Sequence, residues 1–205
     1  MPLTPEEVYA QVVEQVGTDG RLPVPEFTGW DIFPWEVEDG ALVPKVLPAP
    51  LDAEVVRWGE GDKPCSCATR DLPEHAVWRN ERWVVTSGGT PSGLPLQMYL
   101  HPVEHLDFGD MDDELAAEFG LITHWLHRIM ANLPNIGRVH IAKFGDGGAH
   151  MHVMFAARYA RLFPVIGSPA MEWDGILPPP PEDVWRADVK HVADRLATHG
   201  GTALV

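Results

Sequence analysis

Between residues 110 and 133 apolar side chains recur at alternating steps of four and three: Leu115, Phe119, Ile122, Leu126, Ile129 and Leu133. That spacing lays one continuous apolar stripe along a helix. Asp112, Asp113 and Glu114 fill its first turn, where carboxylates suit the positive end of the helix dipole, and Pro134 and Gly137 stop it. His124 and His127 fall off the stripe and read as solvated surface residues. A shorter N-terminal helix is predicted from Thr4 as cap, Pro5 at the first helical position and Glu6 and Glu7 in the first turn, ending near Gly17. A last helix spans residues 182–198, with Val184, Val189, Val192 and Leu196 as packing positions, after a short polyproline run at 178–181.

Strands show as shorter runs with period two. Residues 76–79 and 83–86 flank Asn80-Glu81, which reads as a hairpin turn. Trp78 and Trp83 are expected to face each other across it, either as packing or as a wall for a planar ligand. Residues 95–100 form a third strand, 138–144 a fourth (with His140 a structural residue) and 149–157 a fifth. In the fifth, Met151, Val153 and Phe155 share one face, while His150, His152 and Met154 share the other. Two imidazoles and a thioether thus stand in a row opposite an apolar face. Residues 23–61 are rich in Pro, Trp and Gly, with little periodicity. They read as an extended arm pinned by Trp30, Trp35 and Trp58.

The fold class this predicts is α+β: an antiparallel sheet of about five strands with one long helix across it, plus an N-terminal helix and arm and a C-terminal helix. Residues 1–58 form the helix and wrapping arm, 59–160 the core and 161–205 the C-terminal extension. A length of 205 residues suits one compact domain.

Composition narrows the partners. A formal charge of −15 repels phosphate backbones and anionic lipids, which argues against DNA, RNA and membranes. A small phosphate-containing ligand is still admissible, because a local site can hold one against the global field. No apolar run approaches the roughly 20 residues of a spanning helix. The first residues carry neither a basic nor an apolar leader segment, so a cytoplasmic location is expected. The two cysteines, Cys65 and Cys67, are one residue apart and cannot staple distant segments. They are either reduced thiols or half of a metal site.

The segment His150-Met151-His152-Val153-Met154-Phe155-Ala156-Ala157-Arg158 resembles the signature of the histidine triad (HIT) superfamily, His-φ-His-φ-His-φ-φ with φ apolar. The related galactose-1-phosphate uridylyltransferases keep the first two histidines and place Gln third; here the third place holds Met154. The likeness extends over residues 59–158. A cysteine pair precedes the hairpin, Pro102-Val103-Glu104-His105 matches a Pro-x-x-His element, and the acidic helix start, Arg138-Val139-His140-Ile141 and a Gly-rich turn follow in order.

The resemblance implies a HIT-like fold and a nucleoside-phosphate hydrolase or nucleotidyltransferase. His152 would be the nucleophile that forms a covalent nucleotidyl-histidine. Substrate contacts would fall on His150, Met154, Arg158, Gly147 and Gly148. The glycine turn either offers backbone N–H groups to phosphate or simply joins two strands; Arg158 either meets phosphate or caps the sheet. A thioether donates no proton, and losing a general acid costs ~10²–10⁴-fold in rate. Either the leaving group departs unaided, or the enzyme is slow or lost. Many family members also carry a carboxylate just after the strand matching 83–86, to bind ribose; here Ser87-Gly88-Gly89-Thr90 has none. The alternative is therefore a degenerate, zinc-stabilised protein that binds a small ligand or partner without turnover. By the same resemblance a structural zinc would be held by Cys65, Cys67, His105 and His150, with His101 as a substitute for His105. A single residue between the cysteines requires a tight turn. The ligand class is a nucleotide, and a homodimer is compatible with the family.

Overall fold

The computed structural model describes residues 3–25, 33–68, 72–163 and 165–205. Helix α1 (Pro5–Gln15) starts where the cap was expected: Thr4 Oγ1 accepts from the Glu7 N–H, and the Glu7 carboxylate accepts from the Thr4 N–H. These two bonds satisfy orphan donors at the helix start reciprocally. The following stretch holds an exposed hairpin, β1 (Trp35–Glu38) and β2 (Ala41–Pro44). Among its described residues it is not pinned by buried tryptophans. Trp35 is 42% exposed and Trp58 61% exposed, while Trp30 lies outside the described residues. Backbone pairing does the anchoring instead: Trp58 N–H donates to Gly147 O at 3.0 Å, and Ala149 N–H donates to Trp58 O at 2.8 Å.

The main sheet is antiparallel throughout, in the order β6-β7-β5-β4-β3-β8. Its strands are β3 (Ala76–Arg79), β4 (Trp83–Ser87), β5 (Leu96–Pro102), β6 (Ile136–Ala142), β7 (Val153–Tyr159) and the two-residue β8 (Thr202–Ala203). Asn80 makes the β3–β4 turn as expected, its Oδ1 accepting from the N–H groups of Arg82 and Trp83. Register then separates the two tryptophans: Trp78 pairs with Val85, and Trp83 with Pro102. Both are buried in the core, so neither walls a ligand site.

Helix α2 (Asp113–Ala131) lies across one face, capped by the Asp112 carboxylate on the Leu115 N–H. Its stripe residues Ile122, Leu126 and Ile129 pack with Leu133 onto Leu96, Met98, Leu100, Val153 and Phe155. Helix α4 (Glu182–Ala197), which follows the short α3 (Pro169–Asp174), completes that core with Trp185, Val189, Val192 and Leu196. The α+β class and the long helix across an antiparallel sheet agree with the sequence; a sixth, two-residue strand is added.

The opposite face of the sheet is divided. One part is sealed by a second apolar cluster, in which Leu94, Ala156, Val165, Ala170 and Leu177 meet Val12, Leu22, Met154 and Trp173. The other part stays open and carries the histidines.

Candidate functional site

The histidine strand differs from expectation at its start. β7 begins at Val153, so His150 and His152 precede it. Their segment pairs with loops rather than with a strand, Ala149 N–H donating to Trp58 O and Met151 N–H to Leu106 O. Alternation survives nonetheless: Met151, Val153 and Phe155 are buried in the main core, and His150, His152 and Met154 are half-buried on the other side.

His152 Nδ1–H donates to the His150 carbonyl at 3.0 Å. A carbonyl can only accept, so this bond fixes the neutral tautomer and leaves Nε2 with its lone pair. His152 lines a cavity of about 680 Å³, together with Trp58, Cys65, Pro73, Val84, His101, Val103 and Gly148. Nε2 makes no hydrogen bond among the described residues, which leaves it available to a ligand.

His150 turns the other way. Its Nε2–H donates to Pro102 O at 2.9 Å, and its Nδ1 lies 3.4 Å from Cys65 Sγ. Cys67 Sγ lies 3.5 Å from His105 Nδ1. One donor atom from each of Cys65, Cys67, His105 and His150 falls within 4.8 Å of the others. A tetrahedral zinc with bonds near 2.0 and 2.3 Å sets its nitrogen and sulfur ligands roughly 3.5 Å apart, so the donor set fits that ion. The tight turn needed by the single-residue spacer is a 3₁₀ turn, Ser66–Ala68, in which Ala68 N–H donates to Cys65 O. Burial and the neighbouring Cys65 push the Cys67 thiol up to about 11. A bound cation would reverse that by stabilising the thiolate.

Close approach holds this corner together. Gly59 has φ +93°, and a Cβ there would lie 2.7 Å from His105 Cε1. Arg57 donates to Glu60, to Asp107 and to Gly145 O, and Lys143 pairs with Asp107 at 3.1 Å. The arm, the His105 loop and the turn before the histidines are thereby cross-linked. Burial pulls the Asp107 carboxyl up, but the Phe108 N–H, Arg57 and Lys143 outweigh it and hold it at about 2.

His101 does not join the cysteines. It sits in the groove, with Nε2 3.0 Å from Thr86 Oγ1 and its ring 6.4 Å from that of His152. Burial, and then His150 and His152, drive its pKa down to about 4, so it is neutral. The sequence carried a signal for it. Leu96, Met98 and Leu100 alternate with Gln97, Tyr99 and His101 along β5, and that alternation sets the polar trio on the groove face.

The remaining site residues scatter. Gly148 lines the cavity, and a Cβ on it would lie 3.8 Å from His152 Cε1. Gly147 uses its carbonyl to hold Trp58. Met154 does not line the cavity; it packs against the second apolar cluster. Arg158 is six residues along from His152, roughly 20 Å at strand rise, and its Nη1 donates to Tyr159 O. No Lys or Arg among the described residues lines the cavity.

No family model and no curated protein matches the sequence. Solved structures do. A hypothetical histidine triad nucleotide-binding protein from Sulfolobus tokodaii is 14% identical, with a TM-score of 0.48, covering 65% of this chain and 91% of its own. A histidine triad protein from Bradyrhizobium japonicum is 16% identical, with a TM-score of 0.46, covering 66% and 95%. A zinc-bound histidine triad family protein from Mycobacterium smegmatis is 16% identical, with a TM-score of 0.44, covering 65% and 94%. These are likenesses of chain path at low identity. No described helix is long and apolar enough to cross a membrane.

Proposed function

We propose that this chain is a HIT-like enzyme of nucleoside phosphates, a hydrolase or nucleotidyltransferase that works through a covalent nucleotidyl-His152. The observation that carries the reading is the hydrogen bond from His152 Nδ1–H to the His150 carbonyl, with Nε2 on a cavity. That bond orients the ring and raises the basicity of the free nitrogen. The Nε2 lone pair would attack the α-phosphorus as the bond to the leaving group breaks. Water or a second acceptor would then take the nucleotidyl group and restore the imidazole.

Cys65, Cys67, His105 and His150 would hold a zinc ion in a closed Cys₂His₂ set, with no open position for substrate. Its contribution would be structural. By fixing His150 it would fix the carbonyl that orients His152, and the Pro102 bond supports His150 from its other nitrogen.

A second reading, a zinc-stabilised binding protein without turnover, is favoured by one observation: Met154, in the third triad place, packs under the C-terminal extension. Intact-mass analysis separates the two. The protein is mixed with nucleoside phosphoramidates and dinucleoside polyphosphates. A nucleotidyl adduct present in the wild type and lost in His152→Ala supports the enzyme. Neither adduct nor turnover, with a nucleotide-induced thermal shift retained, supports the binding protein.

A further inference from the structure

We propose that His101 is a substrate-contacting residue that takes over the phosphoryl-binding work of the third triad histidine, approaching from the neighbouring strand. The proposal rests on His152 being the nucleophile. Three observations carry it. First, the third place is closed on its own strand, because Met154 packs into the second apolar cluster. Second, the open cavity extends sideways from His152 across β5 toward β4, with His101 and Val84 on its wall. Leu100 pairs with Val153, so the next residues, His101 and His152, stand side by side. Their ring centroids are 6.4 Å apart and their planes are 31° from parallel. Both rings line the same cavity, so a phosphoryl group held beside His152 lies within reach of His101 as well. Third, the two nitrogens of His101 are in different situations. Nε2 is held by Thr86 Oγ1 at 3.0 Å. Nδ1 has no partner among the described residues and is not among the buried polar atoms sealed from solvent.

Thr86 makes the arrangement work. A hydroxyl can donate or accept. When it donates to Nε2, the imidazole carries its proton on Nδ1 and presents an N–H to the cavity, which is what an anionic oxygen requires. In the transfer step the His152 Nε2 lone pair forms the new P–N bond. With a phosphoramidate, the P–N bond to the leaving nitrogen breaks, and that nitrogen departs with the bond pair as ammonia, taking its proton from solvent. His101 keeps its own proton throughout and hydrogen-bonds the phosphoryl oxygen on which charge collects. The role is electrostatic and does not depend on His101 changing charge.

The test measures the rate of nucleotidyl-His152 formation by quenched intact-mass analysis, with adenosine and guanosine 5′-phosphoramidate as probes. Asn places an amide N–H close to the position of imidazole Nδ1, whereas Leu keeps the bulk and removes the donor. His101→Leu should slow adduct formation by roughly 10²–10³-fold, the loss typical of one such donor. His101→Asn should recover to within about tenfold of wild type, and Thr86→Val should fall between. Zinc content and thermal midpoint identify any variant that merely misfolds. An adduct that needs His152 but forms at the wild-type rate in both His101→Leu and Thr86→Val overturns the role of His101 and leaves the nucleophile standing. Equal losses in His101→Asn and His101→Leu, in folded protein, overturn it too. No adduct in the wild type overturns the nucleophile itself.

Discussion

His150 donates from Nε2 to the Pro102 carbonyl at 2.9 Å, which turns its Nδ1 toward Cys65 Sγ at 3.4 Å. One backbone carbonyl thus decides which nitrogen faces the cysteines. Purified protein should hold about one zinc ion, as a closed four-ligand site does. Cys67→Ser should lose most of it and lower the thermal midpoint by roughly 10 °C, reflecting several kcal/mol of linked stability. Elemental analysis and thermal melts check both. Metal content unchanged in Cys67→Ser would remove that residue from the ligand set, and a metal-free wild type would remove the site.

Gly59 is the glycine this corner needs. Its φ of +93° disfavours any other residue, and an added Cβ meets His105 Cε1 at 2.7 Å. Gly59→Ala should destabilise by about 1–3 kcal/mol and weaken zinc retention, because His105 must move. Gly147→Ala is the matched control, since a Cβ there meets nothing within 4 Å. Denaturant unfolding of the two variants side by side reads the difference. Equal stability would mean the His105 loop yields without cost.

Restoring the signature should not restore the residue's usual work. Met154 is packed among Leu94, Ala156, Val165 and Leu177. A histidine there puts a polar ring against apolar neighbours, at a cost of roughly 1–3 kcal/mol. Met154→His is therefore expected to melt earlier and to form adduct no faster than wild type. A rate gain of tenfold or more without loss of stability would show that position 154 reaches the substrate.

Asp107 predicts a pH dependence of known sign. Its folded carboxyl is held at about 2, below the ordinary value of 3.8. A depressed acid contributes stability above its unfolded pKa and loses it as pH falls through the folded one. Relative to Asp107→Asn, the wild type should be more stable near neutrality by about 1 kcal/mol, because water and salt screen ion pairs this near the surface. That advantage should shrink between about pH 4 and pH 2. Comparing the two proteins removes any common loss of metal in acid. A constant difference across that range would mean that Arg57 and Lys143 do not hold the carboxylate in solution.

Local periodicity made the frame legible. The stripe from Leu115 to Leu133, the Thr4 cap and the Asn80 turn depend on neighbours in sequence, and each is present, whereas Asp112, read as a first-turn residue, is the cap of a helix that starts at Asp113. The alternation of Met151, Val153 and Phe155 against His150, His152 and Met154 also holds, although hydrogen bonds to loops displace the formal strand start to Val153. Trp35 and Trp58 did not behave as their size suggested. Burial of an aromatic depends on what lies opposite, and nothing in residues 33–58 encodes the Gly147 carbonyl that holds Trp58.

What the amino-acid order determined alone was which side chains share a face, because period two and period 3.6 are properties of the backbone. It brought His150 and His152 to one side and marked Cys65, Cys67 and His105 as able to hold a metal. Tertiary structure decided the rest. The extension sealed the sheet over Met154, His101 came beside His152 from another strand, and the fold gathered the four donor atoms within 4.8 Å. Those relations join residues up to 85 positions apart. No local pattern carries the distance between two segments until the core has packed between them.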